Sequence, residues 1–207
     1  MKRQIASVLA LFVLATSVCA ADAVRMLEDF SVKIQSAAGR FTQTESEDGK
    51  VLASGRFSFT RPGKFLWETQ SPFSQAILCN GKTLWIYDPD LHQVTVRELK
   101  QAAGLGPAAL LFGQTSPGEV FNLSDRGKIG NLFWLQATPK TSDAAFPAME
   151  VGLDEKGFVR ELRLTDSFGE VTLYKLSDLQ VPSDLKTQDY EFRIPPGTDV
   201  LQDTSQQ

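Results

Sequence analysis

The feature that most constrains the fold is a series of short segments, rich in aromatic and β-branched residues, that recurs after Gly39. Turn-forming residues separate these segments, and Asn80-Gly81 between two of them is the strongest hairpin signal in the chain. Spacings of about ten residues are typical of strands that pair in sequence order, as an antiparallel meander. The predicted strands are residues 41–44, 55–60, 65–69, 75–79, 83–87, 93–99, 133–138, 148–153, 159–166, 171–179 and 191–194.

Three other segments favour helices. Apolar residues recur at helical spacing from Ala23 to Ala38, and Gly39 follows as a residue that often ends a helix. Residues 107–112 predict a short, very apolar helix that begins with proline, and residues 117–121 predict one further helical turn. The chain is therefore expected to form one mostly-β (α+β) domain of about eleven strands and two or three helices.

The first residues have the three parts of a secretory signal peptide: a basic start, a short apolar core and small residues before a cleavage site. The apolar run is about fourteen residues long, which is shorter than the roughly 20 that span a bilayer as a helix. We expect residues 1–21 to be a signal peptide cleaved near Ala20 or Ala21, and residues 22–207 to be the exported domain. Lipid attachment at Cys19 is the alternative, and Val18 fits poorly before a lipidated cysteine.

Few residues are available for catalysis or metal binding. His92 is the single histidine, and Cys79 is the single cysteine after the expected cleavage site, so an intramolecular disulfide is not expected. We expect His92 to be an exposed turn residue and Cys79 to be a small buried one. An acidic pair such as Glu68 and Asp88 is a weak enzyme alternative. The formal net charge of −4 and the absence of a basic cluster argue against nucleic-acid binding.

Aromatic residues are concentrated in the predicted strands. Among 14 phenylalanines and three tryptophans, Phe57 with Phe59 and Phe65 with Trp67 alternate so that each pair lies on one face of the sheet. Two interpretations are open: an ordinary filled core under the helices, or a curved sheet that leaves a cavity for an apolar ligand. Periodicity alone does not separate a filled core from an empty one.

Several short segments, in order, are similar to a known family. They are Phe41-Thr42-Gln43, Arg61-Pro62-Gly63 with Phe65 and Trp67, residues 80–89 (NGKTLWIYDP), Gln93-Val94-Thr95, the apolar helix 107–112, and Phe192-Arg193-Ile194-Pro195-Pro196-Gly197 with Asp199-Val200. This ordered set resembles the outer-membrane lipoprotein carrier proteins, the LolA family. The resemblance implies an unclosed antiparallel β-barrel whose apolar concave face is covered by helices acting as a lid.

The resemblance also implies a function, a compartment and partners. The protein is expected to be a monomeric, non-enzymatic carrier in the periplasm of a Gram-negative bacterium, without a cofactor. It would take acylated lipoproteins from an inner-membrane ABC transporter and deliver them to an outer-membrane receptor. Two alternatives stay open: a lipid-anchored receptor of the same fold, and a general periplasmic binder of apolar ligands.

The predicted site residues fall into three groups. Arg61 matches the arginine that hydrogen-bonds to the lid in the family, and is expected to favour the closed form. The expected lining of the acyl-chain cavity is Phe41, Phe57, Phe59, Phe65, Trp67, Leu78, Trp85, Tyr87 and Trp134. The expected lid residues are Leu27, Phe30, Ile34, Leu110, Leu111 and Phe112.

Overall fold

The computed structural model describes residues 22–45, 49–99, 107–113, 115–141, 146–182 and 190–202. The predicted signal peptide, residues 1–21, lies outside the described residues, as do residues 100–106 before the apolar helix. No helix in the described part of the chain has both the length and the apolar character needed to cross a membrane.

The described residues form twelve strands and three helices. The helices are α1 (Ala23–Lys33), α2 (Pro107–Phe112) and α3 (Pro117–Val120). The strands are β1 (Ser36–Glu45), β2 (Val51–Thr60), β3 (Lys64–Ser71), β4 (Gln75–Asn80), β5 (Thr83–Asp88), β6 (Gln93–Glu98), β7 (Phe121–Ile129), β8 (Leu132–Pro139), β9 (Ala148–Leu153), β10 (Val159–Thr165), β11 (Val171–Gln180) and β12 (Asp199–Gln202).

All twelve strands belong to one sheet, in the order β12-β6-β5-β4-β3-β2-β1-β11-β10-β9-β8-β7. Neighbouring strands are antiparallel except for β12, which runs parallel to β6. The strands β7 and β12 are the two edges and do not pair with each other, so the sheet is unclosed. The predicted fold class is confirmed, with one strand more than expected.

Helix α1 is shorter than predicted. It ends at Lys33 and not at Ala38, and β1 begins at Ser36. The backbone N–H of Ile34 donates the last helical hydrogen bond, to the carbonyl of Phe30. Gly39 lies inside β1 rather than at a helix end, because the sheet needs a residue without a side chain there for the packing described below.

Two other predictions were wrong near the C-terminal half of the sheet. Strand β7 was missed because its sequence FNLSDRGKI is largely polar, and as an edge strand it is mostly exposed. Residues 191–194 are not a strand, and the last strand is β12 instead. Here hydrophobic patterning failed because edge strands bury little apolar surface.

The two faces of the sheet differ. The inner face carries the three helices and the main hydrophobic core, to which Leu27, Phe41, Phe59 and Leu162 belong. The outer face carries a smaller apolar cluster on β4–β6, over which the C-terminal segment from Tyr190 to Phe192 passes. The helices and the inner face therefore define where a ligand of this fold would be held.

Candidate functional site

An aromatic surface covers the inner face of β1, β2 and β3. We call it the aromatic region, and its residues are Phe41, Phe57, Phe59, Phe65 and Trp67, all buried. The rings of Phe41 and Trp67 are stacked with their centroids 4.0 Å apart, and Phe57 lies 5.8 Å from Trp67. Alternation along each strand places these rings on one side, as the sequence predicted.

Two glycines allow these rings to lie against the strands. Gly39 is paired with Phe57, and Gly55 is paired with Phe41. A Cβ at Gly39 would lie 3.0 Å from the Phe57 ring, and one at Gly55 would lie 1.9 Å from the Glu68 carbonyl oxygen. Any side chain at either position would push the ring or the neighbouring strand away. The aromatic surface therefore depends on glycines that sequence analysis had not connected with it.

Helix α2 inserts a ring into the aromatic region. The Phe112 ring lies 5.1 Å from Phe59 and 5.2 Å from Phe65, and 6.1 Å from Phe57. Phe112 is 1% exposed, and Leu110 and Leu111 of the same helix are also buried. The inner face of β2 and β3 is thus filled by the chain's own side chains, and a ligand would have to displace them.

Arg61 links α2 to the rest of the fold. It lies in the turn between β2 and β3, and its Nη2 donates a hydrogen bond of 2.7 Å to the Leu111 carbonyl. Its Nη1 donates to the Gly113 carbonyl at 3.4 Å, and its Nε donates to the Ile34 carbonyl at 3.2 Å. One guanidinium therefore holds the C-terminal ends of α1 and α2 at the same point.

The surroundings of Arg61 are apolar apart from these carbonyls. Its guanidinium carbon lies 5.3 Å from the Phe59 ring centroid and 5.8 Å from that of Phe30. Burial lowers the pKa of Arg61 to about 10, because desolvation disfavours the charged form. Arg61 is still charged at neutral pH, so its hydrogen bonds are charge-assisted.

Helix α1 covers a different part of the inner face, over β7, β8 and β9. Leu27 is fully buried and Phe30 is nearly so, and Ile34 packs against the core from the end of the helix. The backbone N–H of Ala23 donates a 2.9 Å hydrogen bond to the Asp125 carboxylate on β7. Both ends of α1 are therefore tied to other parts of the fold.

The surface beneath α1 is made of aliphatic and thioether side chains. We call it the aliphatic region, and its residues are Leu135, Met149, Val151, Leu153, Val159 and Leu162, each with 0% exposure. Sequence reasoning missed these residues, together with Tyr174, which contacts Trp67 edge-on at 6.0 Å. Burial raises the pKa of Tyr174. The alternation of apolar residues in β9 and β10 was the signal that could have found them.

Four predicted cavity residues are corrected. Leu78, Trp85 and Tyr87 lie on the outer face, because their neighbours Cys79 and Leu84 belong to the inner core and side chains alternate along a strand. Trp85 and Tyr87 contact Phe192 of the C-terminal segment, at 6.1 and 5.3 Å.

Trp134 is the fourth of these residues. It also lies on the outer face, where the Arg163 guanidinium stacks on its ring at 4.1 Å. The aromatic character of Trp134 did not by itself indicate which face of the sheet this residue occupies.

The structure also gives the positions of Cys79 and His92, two residues for which the sequence predicted no functional role. Cys79 is free and fully buried, as predicted, and burial raises the pKa of its thiol. His92 is exposed in the β5–β6 turn, and its carbonyl accepts a hydrogen bond from the Asp199 N–H that holds β12. Among the described residues, no three histidine, cysteine or acidic side chains come together as a metal site.

The fold and this site define a class of protein: an unclosed antiparallel sheet whose apolar inner face is covered by short helices. Residues 32–193 match the model of the family described as outer membrane lipoprotein carrier protein LolA. The chain therefore belongs to the LolA family. This finding confirms the resemblance that the ordered sequence segments indicated.

Named relatives support this placement along nearly the whole chain. A protein of Bordetella bronchiseptica named outer-membrane lipoprotein carrier protein is 39% identical, over 97% of this chain and 98% of its own length. Proteins of the same name from Chromobacterium violaceum and Nitrosomonas europaea are 41% and 39% identical. The first alignment covers 87% of this chain and 88% of the relative, and the second covers 93% and 98%.

Solved structures support the fold. An uncharacterised conserved protein from Thermus thermophilus superposes with a TM-score of 0.58 at 13% identity, covering 86% of this chain and 96% of that one. A putative outer membrane lipoprotein-sorting protein domain from Vibrio parahaemolyticus gives a TM-score of 0.50 at 14% identity, covering 81% and 95%. At these identities the similarity concerns the fold alone.

Proposed function

We propose that this protein carries acylated lipoproteins through the periplasm of a Gram-negative bacterium, as a carrier and not an enzyme. Its acyl-chain site is the inner face of the sheet, and α2 is the cover that leaves when cargo binds. The observation that carries the proposal is the insertion of Phe112 among Phe57, Phe59 and Phe65, with Arg61 bonded to the carbonyls behind it. The names of the relatives support the same function.

The energies involved suit a reversible exchange between lid and cargo. Moving a sixteen-carbon acyl chain out of water is worth on the order of 12 kcal/mol, at about 0.8 kcal/mol per CH₂. Exposing the three large side chains of α2, Leu110, Leu111 and Phe112, costs about 5–9 kcal/mol at 1.5–3 kcal/mol each. The two hydrogen bonds from Arg61 to the carbonyls of Leu111 and Gly113 add about 1.5–3 kcal/mol each, less where they are long. The free-energy cost of opening and the gain from binding an acyl chain are therefore of the same order of magnitude.

This balance assigns a role to Arg61 in the proposed cycle. Its hydrogen bonds stabilise the closed, empty form, so they oppose tight retention of cargo and favour its release. A lysine would replace it imperfectly, since three acceptors at separate positions fit a rigid guanidinium better than one ammonium group. In the proposed cycle the donor is an inner-membrane ABC transporter, the acceptor is an outer-membrane receptor, and the carrier acts as a monomer.

A release assay tests the proposal. Energised inner-membrane vesicles that contain the transporter and a labelled lipoprotein are incubated with the exported protein, and the supernatant is analysed for a soluble complex. We expect the lipoprotein to appear in the supernatant together with the carrier. Lipoprotein that stays in the membrane at every carrier concentration would contradict the proposal.

Two further measurements separate the alternatives. The mass of the mature N-terminus distinguishes a cleaved carrier from a lipid-anchored receptor, which would retain Cys19 with added acyl chains. Binding of free fatty acid without any release of lipoprotein would instead favour a general binder of apolar ligands.

A further inference from the structure

Three hairpin turns at one end of the sheet present large apolar side chains to solvent. The β3–β4 turn carries Phe73 at 48% exposure, the β5–β6 turn carries Leu91 at 68%, and the β10–β11 turn carries Phe168 at 90%. The strand order and the antiparallel pairing place these three turns at the same end. We call Phe73, Leu91 and Phe168 the tip surface.

Two of these turns are built to hold the side chain outward. The Asp166 carboxylate accepts hydrogen bonds from the backbone N–H groups of Phe168 and Glu170, at 2.8 and 2.9 Å. The Asp88 carboxylate accepts hydrogen bonds from the N–H groups of Asp90 and Leu91, at 3.1 and 3.0 Å. Such turns fix the backbone, so the exposed apolar residue is held in place and is not part of a loose loop.

The opposite end of the sheet has a different character. Its described turns, at residues 61–63, 81–82, 130–131 and 154–158, include no large apolar residue that is exposed. Exposed apolar side chains near that end, Val32, Ile129 and Val181, lie on a helix, at a strand end and just after a strand instead. Apolar residues at turn tips are thus confined to one end of the described chain.

Acidic groups lie at the same end of the sheet as the tip surface. Asp88, Asp90, Asp166 and Glu170 lie in the same turns, and Glu45 ends β1 at this end. The basic and titratable groups that face them on these strands and turns are Lys50 and His92, with Lys140 following β8. Among the described residues at this end, carboxylates therefore outnumber cations.

A recess lies between the first two turns. It has a volume of about 310 Å³ and is lined by Glu68, Gln70, Ser74, Gln75 and Tyr87, among others. Its lining offers amide and hydroxyl oxygens to an entering group, while the carboxylate of Glu68 is already paired with Arg56 and accepts a hydrogen bond from Gln70. A polar side chain with an apolar stem suits this mixture of surfaces.

We propose that the tip surface and this recess form a docking site for a protein whose contact face combines basic and apolar side chains. Strands lie about 4.8 Å apart, so neighbouring hairpins are spaced by about 10 Å along the sheet edge. Leu91 and Phe73 are on adjacent hairpins, and Phe168 is two hairpins further. The distance from Leu91 across to Phe168 therefore matches the width of one side of a protein interface of ordinary size.

The charges favour a protein over a membrane. Anionic lipid head groups are repelled by the carboxylates around the tips, and a zwitterionic surface offers no compensating attraction for them. A basic protein surface pairs with the same carboxylates while its apolar side chains cover Phe73 and Phe168. The partner's identity rests on the proposed function, which supplies two protein candidates, the transporter and the receptor.

The test uses the exported protein and those two candidates in purified, detergent-solubilised form. The double variant Phe73→Ser/Phe168→Ser is compared with Val32→Ser/Ile129→Ser, whose residues are similarly exposed but lie elsewhere. We expect the tip variant to bind at least one candidate about tenfold more weakly or worse, as for removal of interface anchors. The control variant should bind as the unchanged protein does. Asp90→Lys should also weaken binding, and raising the salt concentration should do the same.

Three outcomes would overturn the inference. Equal binding by the tip and control variants, while lipoprotein release still occurs, would overturn the docking site and leave the proposed function standing. Binding to zwitterionic lipid vesicles that the tip variant loses would make this end a membrane contact instead. Absence of both lipoprotein release and binding to either candidate would overturn the proposed function, and the partner with it.

Discussion

The two halves of the inner face are covered in different ways. The aromatic region is covered by α2, a helix of six residues, and its described polar link to the rest of the fold is the Arg61 guanidinium. The aliphatic region is covered by α1, a helix of 11 residues that Asp125 holds at its start and Arg61 at its end. The side chains beneath both helices are buried, with at most 9% exposure.

In the proposed cycle, this difference allows one sheet to be both stable and able to open. Interdigitated aliphatic side chains under a helix tied at both ends form a core that resists partial opening. Flat rings under a short helix lose a limited number of contacts when that helix leaves, and they then present a smooth apolar surface. We infer that the aliphatic region maintains the fold while the aromatic region exchanges its cover.

The largest expected effect compares one substitution in the two regions. Leu162→Ala in the aliphatic region should lower the free energy of unfolding by about 3 kcal/mol, as for a buried leucine that leaves a cavity. Leu111→Ala on α2 should lower it by less than about 2 kcal/mol, although Leu111 is only 1% exposed. The reason is that a six-residue helix can shift on the sheet and partly fill the space left by the side chain, which limits the loss. Urea unfolding measures both values.

Each of these variants serves as the control for the other, since both remove the same atoms from buried sites. Equal losses for Leu162→Ala and Leu111→Ala would mean that α2 is part of one undivided core. The aromatic and aliphatic regions would then not differ in how firmly their covering helices are held.

The second prediction concerns Arg61 and the delivery of cargo. Arg61→Leu should still accept lipoprotein but deliver it about tenfold more slowly or worse, because it lacks charge-assisted bonds worth about 1.5–3 kcal/mol each. Arg61→Lys should lie between this variant and the unchanged protein. Arg163→Leu is the control, since Arg163 stacks on Trp134 on the outer face and should not affect transfer. Transfer from carrier to receptor is the measurement, and normal delivery by Arg61→Leu would refute the role.

Sequence reasoning found the aromatic region more completely than the aliphatic one, for physical reasons. Alternation in Phe57-Ser58-Phe59 and Phe65-Leu66-Trp67 gives both the strand and the shared face. In β5 the consecutive apolar residues Leu84, Trp85 and Ile86 fit either face, and only the pairing of β4 with β5 decides which one is buried. The contacts of Gly39 and Gly55 depend on strand pairing, and so they could not be read from local sequence.

The third prediction uses a turn beside the aliphatic region. The Asp154 carboxylate accepts hydrogen bonds from the N–H groups of Lys156 and Phe158 and pairs with Arg160 at 2.7 Å. Partial burial acts to raise the pKa of Asp154, but these hydrogen bonds and the Arg160 charge together lower it. Asp154→Asn should therefore cost about 1 kcal/mol of stability at neutral pH.

The expected pH dependence follows from the direction of that shift. A carboxylate whose pKa is lower in the folded state stabilises fully above its unfolded pKa, and the contribution is lost as pH falls through the folded value. The difference between Asp154→Asn and the unchanged protein should hence be constant above about pH 5 and shrink below about pH 4. Asp166→Asn, in a turn whose described partners are backbone groups, is the matched control and should cost less. A constant difference at every pH would contradict the charge-based explanation.

The smallest expected effect uses Cys79 as a native reporter of the aromatic region. Cys79 is paired with Phe65 and belongs to the same core, and burial raises the pKa of its thiol, so it should react slowly with thiol reagents in the closed form. In protein carrying Cys19→Ser, Arg61→Leu should increase the labelling rate a few-fold, because a weaker tether exposes the inner face more often. Asp125→Ala, which removes the carboxylate bonded to Ala23 at the start of α1, should change the rate less. A larger increase with Asp125→Ala would mean that α1, and not α2, is the cover that opens.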